Sequence, residues 1–502
     1  MADYNAANSL PETNSLSEMS VWTEMSIAAR CRCVAAASGK IAEAADELVA
    51  LAASDQRVDP VDTLAAELIP LCGALKLIGK RGRHILRPRH HGLVRRPMWM
   101  WGVRSTVYRD PFGTVLILGT WNYPLLLVGT QIGQALAAGN RVVVKPAIGS
   151  ERVTERMVRT FYDAGVPESM IHQIDSSTES AIQAIDAGVD LIVLTGAAAT
   201  GRKVMAQASK SLTPTIMELS GCDAVIVLDD ADLEFTAKAV AWALCVNSGA
   251  TCIGPRRLLV STKRADSFLE TLKDQLKTRD PAIVHPAARA SVADAVDAAI
   301  DRGAIDCLGA IDTDRMRADG TMRPTLLDHV LVDDEVANAD LFAPISSIIR
   351  YDDVNEAVKI VNNCPYRLAA SVFGSRAAAQ RVASRLKVGS VTVNDLVMPT
   401  GDPRLPFGGR GNSGFGVTRG EEGLLAMTTP RVVSRRNGKF AVHLAPRKPY
   451  DAEALLASLQ ILHAGSWRQR IRGVFRMMRA PNATKAPKAD ASPPSVGEMP
   501  KE

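Results

Sequence analysis

Two residues of this sequence carry complementary chemistry. Cys252, in the run Asn247-Ser-Gly-Ala-Thr-Cys252, offers a thiol, and Glu218, in Met217-Glu-Leu-Ser-Gly-Cys222, offers a carboxylate. A thiol needs only modest activation to attack an electrophilic carbon, because the small thiolate fraction at neutral pH is intrinsically very nucleophilic. A carboxylate held near the resulting thioester can serve as base for the water that hydrolyses it. Singly, each residue has a plainer explanation. A cysteine between Thr and Ile is ordinarily a small buried apolar residue, and a glutamate beside leucine is ordinarily a cap or a surface charge. Their company decides between the two explanations.

Beyond Pro111 short apolar runs alternate with helical stretches. The runs 114–118, 141–145, 191–194 and 224–228 are rich in Val, Ile and Leu, and helical patterns occupy 124–138, 151–164 and 202–210. Such alternation predicts an α/β fold with a parallel sheet covered on both faces. A second α/β stretch runs over about 221–403. Ahead of both, 21–53 and 60–86 read as helices. The basic, aromatic segment that follows holds Arg81, Arg83, Arg87, Arg89, Arg95, Arg96, Trp99 and Trp101.

The run after 191–194 is Thr195-Gly196-Ala-Ala-Ala-Thr-Gly201, with a helix expected to open at Arg202. A glycine-bearing turn between strand and helix lets backbone approach a pyrophosphate, and the helix start adds free N–H groups. The spacing is not Gly-x-Gly-x-x-Gly, so an ordinary turn explains it equally well. Lys145, closing the run 141–145, stands where a cation could reach a ribose or phosphate. A lone lysine there is more often merely solvated.

At 502 residues the chain is long enough for two or three domains. A net charge of +5 gives no case for a nucleic-acid partner. The eight cysteines are scattered, none at metal-site spacing, so no metal is expected and reduced thiols in the cytoplasm are the default. The N-terminus lacks the pattern of a secretory signal, and no apolar run reaches spanning length.

Taken together the motifs resemble the aldehyde dehydrogenase superfamily. The resemblance runs in order through Pro111-Phe-Gly-Thr-Val-Leu-Ile-Leu-Gly-Thr-Trp-Asn-Tyr-Pro124, Gly139-Asn-Arg-Val-Val-Val-Lys-Pro146, Thr195–Gly201 and Glu218-Leu-Ser-Gly221. It continues through Asn247–Cys252, Asp340-Leu-Phe-Ala-Pro344, Asn363-Cys-Pro-Tyr366 and Leu405-Pro-Phe-Gly-Gly-Arg-Gly-Asn-Ser-Gly-Phe-Gly416. The Trp-Asn-Tyr-Pro run and the C-terminal extension look most like the class 3, or fatty aldehyde, branch.

The resemblance implies roles. Cys252 would attack an aldehyde carbon, and Asn122 with the Cys252 backbone N–H would hold the oxyanion while hydride leaves for a nicotinamide. Glu218 would activate the hydrolytic water; coenzyme-A-acylating relatives generally lack a base there, so a free carboxylic acid is the expected product. Lys145, Gly196, Gly201, Trp121, Asp340 and Phe342 would contact the cofactor, NAD by default with NADP open.

The implied architecture is a Rossmann-like cofactor domain (1–93 and 113–220) and an α/β catalytic domain (221–427). A bridging β segment (94–112 and 428–445) would mediate a homodimer. The amphipathic extension 446–480 and a disordered tail 481–502 would follow.

Four positions depart from the family pattern. Asp340 replaces a glutamate, Cys222 ends a run that usually reads Glu-Leu-Gly-Gly-Lys, Ala197 replaces a serine, and Ile148 stands where relatives carry a glutamate. None removes a chemical actor. A non-catalytic relative kept for membrane or partner binding is the alternative.

Trp467, Ile471, Val474, Phe475 and Met478 form one helical stripe, bordered by Arg468, Arg472, Arg476 and Arg479, with Arg470 beyond the other edge. Such a helix suits the surface of an anionic membrane, and would favour a lipophilic, long-chain aldehyde as substrate. Packing against the catalytic body or a partner subunit is the competing expectation.

Overall fold

A computed structural model describes residues 21–92, 96, 100–439 and 441–479. Arg95, Trp99, the segment 1–20 and the tail 481–502 lie outside the described residues. The chain divides into two compact units, residues 1–89 with 106–433 and residues 90–105 with 434–502.

The first unit is built on two sheets. The six-stranded sheet runs, in spatial order, Gly414–Phe415, Thr215–Leu219, Leu191–Gly196, Thr114–Leu118, Arg141–Lys145, Ile171–Gln173. Its strands are parallel except Gly414–Phe415. Because successive side chains alternate faces, Val115, Ile117, Val142, Val144, Leu191 and Val193 enter one core with helices Ile27–Glu43, Ile69–Leu86 and Leu126–Ala138. Leu116, Leu118, Val143, Ile192 and Leu194 enter another, beneath helices Thr178–Asp186 and Ala198–Ala208. Both faces are dry, which is why the strands read as unbroken apolar runs.

The seven-stranded sheet runs Ile305–Asp306, Thr325–Asp328, Ile345–Tyr351, Pro255–Ser261, Asp223–Val227, Ala369–Phe373, Ser390–Val393, antiparallel only at Ile305–Asp306. The chain leaves the first sheet at Leu219 and enters the second at Asp223. That short link sets the C-terminal ends of the first sheet's strands beside the N-terminal ends of the second's.

Two expectations need correction. The strand Gly414–Phe415, expected in the catalytic domain, adds to the edge of the first sheet beside Thr215–Leu219. The helix after 191–196 opens at Ala198 rather than Arg202, since the alanines from 197 to 199 favour helix over turn. Gly201 therefore lies inside the helix.

A further, three-stranded sheet orders Arg89–His91, Val103–Pro111 and Thr428–Arg436. In the second unit helices Asp451–His463 and Trp467–Arg479 pack together. Gly473 permits their approach, because a Cβ there would lie 2.9 Å from that of Gln460. Among the described residues no helix is long and apolar enough to cross a membrane.

Candidate active site

In the six-stranded sheet the chain leaves Thr114–Leu118 on one side for Arg141–Lys145 and returns on the other as Leu191–Gly196. Ligands bind outside the carboxyl ends of strands at such a reversal. A cleft of about 720 Å³ opens there. Its walls include Asn122, Trp121, Lys145, Gly196 and Glu218 from the first sheet, and Cys252, Asp340 and Phe342 from the second. Eight of the nine expected site residues share this space. Gly201 does not: it is buried in its helix, where a Cβ would meet the Leu219 side chain at 2.9 Å, so its part is close packing of helix on strand.

Cys252 sits just ahead of strand Pro255–Ser261, in a loop fixed from several sides. Arg256 donates to the carbonyls of Gly249 (2.6 Å), Ala343 (2.8 Å) and Thr251 (3.2 Å). The Tyr123 hydroxyl meets that of Thr251 at 2.6 Å. Asn247 and Ser248 adopt φ of +51° and +55°, a region costly for side-chain-bearing residues. Gly249 (φ +74°) presses on the Ala343–Pro344 backbone, where no Cβ would fit. Burial, and then Asp223 and Glu218, push the Cys252 thiol up to about 12, while Arg419 pulls it down.

Asn122 follows the central strand and is buried. Its Oδ1 accepts from Thr120 (2.7 Å) and its Nδ2 donates to the Ala250 carbonyl (2.9 Å), leaving one N–H of the amide for the cleft. Its own carbonyl accepts from Asn247 Nδ2 (2.9 Å) and from Arg57. Arg57 also pairs with fully buried Glu67, whose other oxygen accepts the N–H groups of Leu125 (2.7 Å) and Leu126 (3.0 Å). Burial pushes Glu67 up despite Arg57.

Glu218 is the next-to-last residue of strand Thr215–Leu219 and is buried. One oxygen accepts the hydroxyl of Thr418; the other accepts from Gln131 and Thr195, each at 3.4 Å. Burial raises its pKa against the pull of Arg419 and these donors, which suits a base that must accept a proton.

Along the cleft Trp121 stacks on His285 at 4.1 Å and tilts toward Phe342 at 5.8 Å. Lys145 donates to the carbonyls of Pro146 (2.6 Å) and Ser176 (2.7 Å), and burial lowers its pKa. Burial lifts Asp340 to about 6, with Ser220 and Arg256 drawing it down.

A nicotinamide dinucleotide fits these residues. Asp340 Oδ1 is buried without a hydrogen-bond partner, as an acceptor awaiting a ribose hydroxyl would be. The helix Ala198–Ala208 opens on the cleft with no side-chain cap on its first N–H groups, which leaves them for phosphate.

Arg57, Glu67, Thr418, Arg419, Gln131 and His285 escaped the sequence reading. The hairpin motif 405–416 pointed near Thr418 and Arg419. Nothing local marks Arg57 or Glu67, whose partners other than each other lie 58 to 190 residues away.

The aldehyde dehydrogenase family model matches residues 12–433. The chain is 29% identical to the 4,4'-diapolycopene aldehyde oxidase of a Methylomonas species, over 82% of this chain and 78% of that protein. It superposes on the NADP-dependent glyceraldehyde-3-phosphate dehydrogenase of Bacillus halodurans, solved with NADP, at a TM-score of 0.76. That pair shares 27% identity over 83% and 88% of the two chains. An aldehyde dehydrogenase of Mycobacterium tuberculosis, solved with NAD+, gives 0.75 and 25% identity over 82% and 86%.

This chain belongs to the aldehyde dehydrogenase family. It is an NAD(P)-dependent oxidoreductase that acts on aldehydes.

Proposed function

We propose that the chain oxidises an apolar aldehyde to the free carboxylic acid through Cys252. The thiolate adds to the aldehyde carbon, giving a thiohemiacetal whose oxyanion is held by the Asn122 amide and the Cys252 backbone N–H. A nicotinamide dinucleotide, held by residues including Asp340 and Phe342, would supply the hydride acceptor. Loss of hydride leaves a thioester on Cys252. Glu218 then takes a proton from water, the hydroxyl adds to the thioester carbon, and the carbon–sulfur bond breaks to release the carboxylate and restore the thiolate.

The carrying observation is that Cys252, Glu218 and Asn122 wall one cleft. Leu127, Leu368 and Phe407 make part of that cleft apolar, and a relative named for the oxidation of 4,4'-diapolycopene aldehyde accords with such a substrate. Aldehydes of graded chain length, read by NAD(P)H absorbance, test the reading. Turnover should rise with chain length and vanish in Cys252→Ser; activity retained in that variant sinks the mechanism.

The same reading includes a homodimer through the bridging strands and contact with an anionic membrane surface. Trp467, Ile471, Phe475 and Met478 are exposed, as are Leu455, Leu459 and Leu462 on the companion helix. The helix Trp467–Arg479 carries five arginines and no acid. Sedimentation should give a dimer. Removal of 451–502 should abolish binding to anionic liposomes, and unchanged binding rules the contact out.

A further inference from the structure

The charges around Cys252 are unbalanced. Asp223, Glu218 and Asp340 all oppose a thiolate at its sulfur, and neighbouring Tyr123 holds its proton more tightly than usual. Two guanidiniums act the other way, Arg256 and Arg419. Arg256 is committed to three loop carbonyls.

Arg419 has more freedom to act on the site. Its guanidinium lies over the ring of Phe407, 4.2 Å from the centroid, and Phe407 walls the cleft. Nη1 donates to the Thr400 carbonyl at 2.6 Å, but Nε is buried with no hydrogen-bond partner. The residue is 6% exposed. Burying a guanidinium with an unused donor is costly unless a nearby negative charge offsets it. The groups its charge acts on are Glu218 and Cys252.

The backbone is costly as well. Arg419 holds φ +60° and ψ 170°, a conformation almost confined to glycine. It is clamped there: its N–H donates to Gln134 Oε1 (3.3 Å) and its carbonyl accepts from Gly423 (2.8 Å). Thr418, the residue before it, pairs with Phe407 through both backbone groups at 2.9 Å and donates to Glu218. The contorted chain thus delivers a cation one residue after the one that holds the base.

We propose that Arg419 is a positioning residue of the aldehyde oxidation, a buried cation that stabilises the thiolate of Cys252 before attack and the carboxylate of Glu218 before hydrolysis. The proton leaving Cys252 passes to solvent, and the guanidinium balances the charge left on sulfur. When the thioester breaks, the departing thiolate meets the same counter-charge. This rests on the reading in which Cys252 and Glu218 do the chemistry. A plainer role, fastening the turn Met398–Gly401 to helix Gly420–Ala426, predicts a different result.

The test is the rate of alkylation of the cofactor-free, full-length protein by iodoacetamide at fixed pH values of about 7–9, below the range in which Cys252 titrates, read at Cys252 by peptide mass. Arg419→Gln should slow that rate about tenfold at each pH, since a one-unit rise in pKa cuts the thiolate fraction by that factor, and Arg419→Lys should restore it. Arg419→Met, which keeps an apolar contact with Phe407, substitutes if the glutamine variant does not fold. In either folded variant kcat should fall about tenfold with KM little changed. An alkylation rate unchanged in a folded variant overturns the proposal, as does a lysine variant that fails to restore it. Because alkylation requires no turnover, a wild-type chain that makes no NAD(P)H from aldehydes is a separate failure, of the functional reading itself.

Discussion

The hydroxyl of Thr418 donates to the carboxylate of Glu218 from 200 residues further along the chain. The strand Gly414–Phe415 makes this contact possible by pairing with Thr215–Leu219, Gly414 opposite Glu218 itself. The hairpin therefore adds a strand to the six-stranded sheet and closes over Glu218 in the same fold. In Thr418→Val the shape is retained and one hydrogen bond to a charged group is lost, a loss of about 1.5–3 kcal/mol. Hydrolysis of the thioester should slow by tenfold or more, since about 1.4 kcal/mol is a factor of ten. Stopped-flow mixing with aldehyde should show the first burst of NAD(P)H intact and the steady rate reduced. Loss of the burst would mean that Thr418 acts before acylation instead.

The sheet strands were legible because their residues are buried on both faces: 114–118 and 141–145 read directly as apolar runs. The chemistry of Cys252 and Glu218 was legible as residue types, and the ordered motifs brought the cleft residues together. The turn 195–201 misled because its glycines suggest a loop, whereas the alanines between them start a helix, and Gly201 answers to Leu219 rather than to phosphate. Arg57, Glu67 and Arg419 stayed hidden for another reason. Their roles depend on partners far along the chain, and periodicity carries no record of such pairings.

Asp340 should trade stability for cofactor binding. Its pKa rises on folding from 3.8 to about 6, so between those values the folded chain holds a proton that the unfolded chain has released. The stability contributed by that proton is complete below the unfolded pKa and is lost as pH rises through about 6. Asp340→Asn cannot ionise and escapes the loss. Without cofactor it should be more stable than the wild type well above pH 6, by about 3 kcal/mol at most, and the two should converge toward pH 4. Urea unfolding at several pH values measures this. Cofactor affinity, by fluorescence titration, should fall in the same variant; equal stability at high pH would show that the carboxylate is not desolvated.

Ile148 bears on the choice between NAD and NADP. It is 77% exposed at the end of the cleft that holds Lys145 and Lys203, and no carboxylate lines the cleft there. An extra phosphate on the adenosine ribose would meet these cations with no acid on the cleft wall beside them; Glu151 and Asp175, which act on Lys145, lie outside that lining. Ile148→Glu should therefore weaken NADP use about tenfold or more relative to NAD, as kcat/KM for each cofactor measures, with little change in folding because the side chain is exposed. An unchanged ratio would place the adenosine end elsewhere.

The Arg57–Glu67 pair tests whether the oxyanion site is held from behind. Glu67 is fully buried, and its carboxylate joins Arg57 to the N–H groups of Leu125 and Leu126. Arg57 in turn grips the Asn122 carbonyl and, at 3.2 Å, the Asn247 side chain. Glu67→Leu leaves an uncompensated guanidinium indoors and should cost about 3–5 kcal/mol. Arg57→Met with Glu67→Leu removes both charges and should recover much of that loss in thermal or urea unfolding. Activity should not recover with it. The double variant still lacks the donors that fix Asn122 and Asn247, so kcat should stay depressed while stability returns. Recovery of both together would mean that the pair serves folding alone and that Asn122 needs no support from Arg57.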